Sequence, residues 1–205
     1  MNIFVLDTDP VKAAQLQCDK HVVKMIVESA QMLSTAHRIL DGDVFYGPSK
    51  SGLRTVKQWR HPDPELDHKL YKSVHVKHPC TVWTMESACN YEWHYQHFMA
   101  LCAEYSYRYG RPGPLDYSRY SHDVKMHETE SKLGHILKQH PKNISNKGLT
   151  PFALAMKSNP ECMFDDPVKS YRAFYKTKLA RFSMKWTCRE TPEWFHENKF
   201  ESAHT

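Results

Sequence analysis

The segment Cys18–Arg38 constrains the fold more than any other part of the chain. Wound as a helix, it puts His21, Lys24, Glu28, Gln31, Thr35 and Arg38 on one line, at alternating steps of three and four residues. Val22, Val23, Met25, Ile26, Val27, Met32 and Leu33 cover nearly all of the remaining circumference. A helix that is apolar over most of its surface is a buried helix. The polar line is therefore carried into the interior, where charges must be paired or used. Three readings are open for it: a Lys24–Glu28 pair on a solvated strip, a salt-bridge ladder, or the floor of a polar cleft.

Composition narrows the surroundings. Among the 205 residues, five Trp, eleven Tyr and nine Phe accompany only seven Gly, which favours helices with long aromatic contacts over an all-β or dinucleotide-binding chain. The length suits one domain with a sizeable core. The formal charge of +5, with fourteen His besides, is compatible with a polyanionic ligand without requiring one. Cys18, Cys80, Cys89, Cys102, Cys162 and Cys188 form no CxxC pair and read as reduced thiols. No apolar leader or membrane-length run is evident, so the expected location is cytoplasmic, with no membrane partner.

Residues 2–6 read as a short buried extended segment. Asp9-Pro10 signals a helix start, and the striped helix should end near Leu40, before Asp41-Gly42. Periodicity vanishes over 42–75, which reads as a long irregular insertion. After His78-Pro79, one long aromatic helix is expected up to the stop at residues 110–114. A polar helix over His122–His140, a basic loop over Lys142–Gly148 and a short apolar helix or turn at Pro151–Met156 follow. A last helix, Val168–Trp186, is capped by Asp166-Pro167, and residues 196–205 read as a frayed tail. The expectation is a single, mainly α domain spanning residues 1–205.

Within that last helix, Lys169, Arg172, Lys176, Lys178, Arg181 and Lys185 occur with no acid between Lys169 and Arg189, interleaved with Tyr171, Phe174, Tyr175, Phe182 and Trp186. Cations suit phosphates and aromatic faces suit unstacked bases, so a DNA-binding edge is one reading. An amphipathic helix whose aromatics pack the core is the other. Lys77 and His78 extend the basic edge in the first case. His75/His78, His94/His97 and His122/His127 have spacings that two metal ligands could share, but no Cys or carboxylate completes a set, and no metal or cofactor is expected. Phosphate-loop, dinucleotide and hydrolase-elbow motifs do not occur.

At Asp19-Lys20-His21, Lys24, Glu28 and Gln31 the chain resembles the pyrimidine dimer DNA glycosylase, or endonuclease V, family. His78-Pro79, Trp83, Asn90-Tyr91, Cys102, Tyr105 and the turn Arg108-Tyr109-Gly110 are similar to a second family helix and its end. His21 and Glu28 keep the seven-residue separation found between a histidine and the catalytic glutamate of the phage-type enzyme. The resemblance covers Ala13–Arg38 and Val76–Gly110, about three-tenths of the chain, and it extends to proteins encoded by phages. It implies a helical fold, DNA as partner, and a glycosylase/AP-lyase in which an amine attacks deoxyribose C1′ while a carboxylate moves protons. Glu28 carries over as the acid/base, with His21 and Gln31 orienting. The phage-type enzyme uses an α-amine exposed by removal of Met. Here Asn2 is bulky, so the amine of Met1 or the side chain of Lys24 takes that place, or the lyase step is missing. Trp83, Tyr91 or Trp93 would stack a flipped base, and Arg38 would join the DNA-binding cations. Alternatives are a transferase modifying phage DNA bases on the same scaffold, and a non-catalytic nucleic-acid-binding or host-interaction protein.

Overall fold

The computed structural model describes residues 1–49, 51–110 and 126–196. The polypeptide is mainly helical, as the sequence indicates. Helix α1 (Pro10–Gln15) starts where Asp9 accepts hydrogen bonds from the Val11 and Lys12 amides. Helix α2 (Asp19–Leu40) is the striped segment, and its ends fall where the sequence puts them. Strands β1 (Asp43–Pro48) and β2 (Thr55–Arg60) form an antiparallel hairpin, with Asp43 opposite Arg60 and Pro48 opposite Thr55. Helix α3 (Pro64–Lys69) is capped by Asp63. The described residues of 42–75 thus include a hairpin and a short helix, a correction to the irregular insertion. Their periodicity is weak because both hairpin faces are largely exposed.

Helix α4 (Pro79–Glu86) and helix α5 (Ala88–Tyr109) replace the one long helix expected. Ser87 breaks it: its backbone is extended, and its hydroxyl accepts from the Asn90 amide as an N-cap. Helix α6 covers only Glu128–Leu133, and the expected start near His122 lies outside the described residues. Residues 151–156 are not helical. Helix α7 (Pro167–Lys176) is capped by Asp166 as expected, but it tightens into a 3-10 turn over Thr177–Ala180 and stops well before Trp186. Helix α8 (Glu193–His196) follows, and the tail beyond it lies outside the described residues.

Helix α2 packs along α5, with α1 against α5 and α4 bridging the two. Val22, Met25, Ile26, Met32, Leu33, Phe98 and Leu101 form the centre of the core. A buried guanidinium closes one end. Arg108 pairs with Glu104 and Asp19 and donates to the carbonyls of Gln15 and Gln17, tying the α1–α2 turn to α5. Asp19 also accepts from the amide and hydroxyl of Thr187, fixing the C-terminal strap. All six cysteines are free.

Candidate active site

The N-terminal segment is buried but is not a strand. Asn2 Oδ1 accepts from the Phe4 amide, the Asn2 side-chain amide donates to Ala155 O, and Gln17 donates to Ile3 O. Phe4 has φ +54, a left-handed backbone that costs a bulky residue on the order of 1–2 kcal/mol. Its ring stacks on His21 at 4.7 Å and meets Tyr175 edge-on, which holds the turn in place. The consequence is positional: the turn delivers the chain terminus to the middle of α2.

There, Glu28 Oε2 lies 3.7 Å from the Met1 amino group and accepts from the Asn2 amide at 3.1 Å. Its other oxygen, Oε1, lies 3.2 Å from Lys24 Nζ. The Glu28 carboxylate is 14 % exposed and the Lys24 side chain 65 % exposed, so a sheltered acid sits beneath an open lysine. His78 caps α4 with Nδ1, accepting from the Cys80 amide at 3.3 Å. Its pKa is lowered, first by burial and then by the positive Met1 amine and His75, with Glu28 opposing. Lys178 reaches toward the same end of the row: its pKa is lowered by burial and by repulsion from Arg181 and Lys24. Its ammonium rests 3.5 Å from the Phe174 ring centre. An amine, a sheltered carboxylate and a rim of cations suit nucleophilic attack on an anionic substrate.

The other predicted site residues separate into groups. Gln31 is half-buried on the same side of α2, one turn beyond Glu28. His21 is buried. The Tyr175 hydroxyl accepts from the Cys18 amide and lies 2.7 Å from His21 Nδ1. Burial, with Lys24 and Lys178 nearby, lowers its pKa to about 4. Arg38 is also buried, and its guanidinium is engaged by Asp67 and by the carbonyls of Trp59, Asp67, Leu70 and Tyr71, so it clamps 59–71 rather than facing DNA. Trp83, Tyr91 and Trp93 are core residues and present no free face to a base. Trp83 and Trp93 pack on each other and on Phe152, and Tyr91 donates to Leu137 O. Lys77, Lys169, Arg181 and Lys185 are exposed, and Lys176 is half-buried. Arg172 turns inward to Leu6 O and Asp7. The aromatics of the basic stretch follow the core-packing reading: Tyr171, Phe174, Tyr175 and Trp186 are buried.

One further cluster, His37, Asp41 and His61, brings three metal-type donors within 4.8 Å of one another, a grouping invisible to local spacing. Several of its polar atoms also have partners within the protein. His61 Nδ1 accepts from the Asp63 amide, His37 Nε2 bonds to the Tyr91 hydroxyl at 2.9 Å, and Asp41 accepts from the Lys142 and Asn143 amides.

The sequence model of the pyrimidine dimer DNA glycosylases matches residues 1–116, more than half of the chain. The chain belongs to that family. The matched part holds Met1, Glu28, the hairpin and His78, whereas α6, α7 and α8 lie beyond it. Membership in a DNA glycosylase family makes DNA the substrate. Among the described residues, no helix is long and apolar enough to cross a membrane. Comparisons with curated proteins and with solved structures give no match.

Proposed function

We propose that the protein is a glycosylase/AP-lyase for damaged pyrimidines in DNA, with the α-amine beside Glu28 as nucleophile and Glu28 as acid/base. The observation that carries this reading is the 3.7 Å approach of the Met1 amine to Glu28 Oε2. An ammonium has no lone pair, so a proton must leave before attack, and the carboxylate is its acceptor. The amine then adds to deoxyribose C1′ as the glycosidic C–N bond breaks and its electron pair leaves with the base. The base takes up the proton that Glu28 had accepted, the adduct nitrogen loses a proton, and the sugar ring then opens: the C1′–O4′ bond breaks, O4′ is protonated, and the nitrogen lone pair forms the protonated Schiff base. Transfer of a C2′ proton to a carboxylate allows the 3′ phosphate to leave by β-elimination. The negative charge of Glu28 also stabilises the positive sugar in between.

The Asn2 amide lies 3.1 Å from the same oxygen, so excision of Met1 would leave an amine in the same place. Lys24 is the second nucleophile candidate, because it touches the other carboxylate oxygen at 3.2 Å. Glu28→Gln is the test. The expected result is a fall of about 10²- to 10⁴-fold in single-turnover cleavage of duplex DNA carrying a cyclobutane dimer. DNA affinity and thermal midpoint should stay near wild type. A variant that loses stability while cleaving normally would make the row a structural ladder and overturn the assignment.

A further inference from the structure

The hairpin takes no part in this chemistry, and α2 connects it to the site. Along one side of α2, Arg38 holds residues 59–71, and Thr35 Oγ1 accepts from the Val74 amide. The same segment continues to His78, which lies in the field of Glu28 and the Met1 amine. Hairpin and carboxylate therefore belong to one side of one helix. Ten residues separate Glu28 from Arg38, about 15 Å along the axis, or the length of four to five base pairs.

Opposite residues share a face in this register, so Val44, Tyr46, Lys57 and Trp59 form one surface of the ribbon. Tyr46 is 71 % exposed, and Leu53 at the tip is 85 % exposed. Lys57 lies 5.1 Å from the Trp59 ring centre. Among the described residues of the hairpin, Arg54, Lys57 and Arg60 face a single acid, Asp43. Neither Arg54 nor Lys57 has a carboxylate partner among the described residues. Cations on an open strand edge also discourage edge-to-edge pairing, but that role requires no exposed Tyr beside them.

We propose that the hairpin 43–60 is a second DNA contact, in which Arg54 and Lys57 bind phosphates of the duplex flanking the lesion and the Tyr46–Trp59 face lies against a groove. A two-stranded ribbon fits the major groove. The inference rests on the DNA-cleaving reading only for the identity of the lesion, since duplex binding is measured separately. Arg54→Ala/Lys57→Ala, in the full chain, tests it by fluorescence anisotropy on duplexes of 25 and 9 base pairs carrying a tetrahydrofuran abasic analogue.

On the long duplex, the slope of log Kd against log salt concentration should fall by about 1.8, the loss of two phosphate contacts, with affinity at 0.1 M salt weaker by about tenfold or more. On the short duplex the loss should be much smaller. Arg54→Lys/Lys57→Arg should keep the wild-type slope. Equal slopes for wild type and the alanine variant on the long duplex overturn the inference, as does wild-type protein that binds neither duplex. Self-association of the wild type that Tyr46→Ala abolishes, with DNA binding unchanged, would assign the face to a second copy and overturn it too. Cleavage by the wild type is scored independently. A salt slope that depends on the hairpin, without cleavage, leaves this contact standing and refutes the proposed activity.

Discussion

Arg38→Ala separates a DNA-facing cation from a structural clamp. Arg38 is 5 % exposed, pairs with Asp67, and donates to the carbonyls of Tyr71 at 2.7 Å, Trp59 at 3.2 Å, Asp67 at 2.7 Å and Leu70 at 2.9 Å. Hydrogen bonds to a charged group contribute about 1.5–3 kcal/mol each. Their sum overstates the loss, because Asp67 is partly exposed and some carbonyls would rehydrate in the space left behind. Breaking one partner from a buried pair sets the scale at about 3–5 kcal/mol. That is a large fraction of a typical domain stability of roughly 5–15 kcal/mol. Urea unfolding followed by far-UV circular dichroism reads the change directly. Arg38→Lys should recover less than half of it, since an ammonium cannot reproduce the planar fork. A loss below about 1 kcal/mol, with weaker DNA binding, would refute the clamp and restore Arg38 to the DNA-binding surface.

Acid should unfold the protein through its buried histidines. His21 and His37 are lowered by burial from 6.5 to about 4, so the unfolded chain binds their protons first as pH falls. Stability present above pH 6.5 is lost between 6.5 and about 4, on the order of 3 kcal/mol for each residue. Urea midpoints at stepped pH check this, and a flat profile over that window would contradict it. Trp93→Ala should cost about 3–5 kcal/mol, because Trp93 is buried and donates to Thr8 O at 2.7 Å. If that variant instead keeps its stability and loses discrimination between lesion and intact duplex, the ring is a base platform after all.

Local signals in the sequence carried much of the fold. The span of α2 follows from its apolar circumference, and the starts of α1 and α7 follow from Asp9-Pro10 and Asp166-Pro167, since a cap acts over only a few residues. Ser87 was the same kind of signal, hidden inside a continuous aromatic run. The hairpin was not legible because exposed faces leave no alternation, and because its anchor, Arg38, is distant in sequence. The polar row itself turned out to be divided. Its ends, His21 and Arg38, are satisfied by Tyr175 and by residues 59–71, while Lys24 and Glu28 meet the chain terminus. The spacing put these groups on one line, but only the tertiary fold could bring Met1 and His78 to Glu28.

The most direct test is borohydride trapping on duplex DNA carrying an abasic site, followed by peptide mapping of the adduct by mass spectrometry. The account predicts a covalent adduct on the N-terminal peptide, at the α-amine beside Glu28, and its loss in Glu28→Gln. An adduct on the peptide containing Lys24, or none with DNA bound, would contradict it.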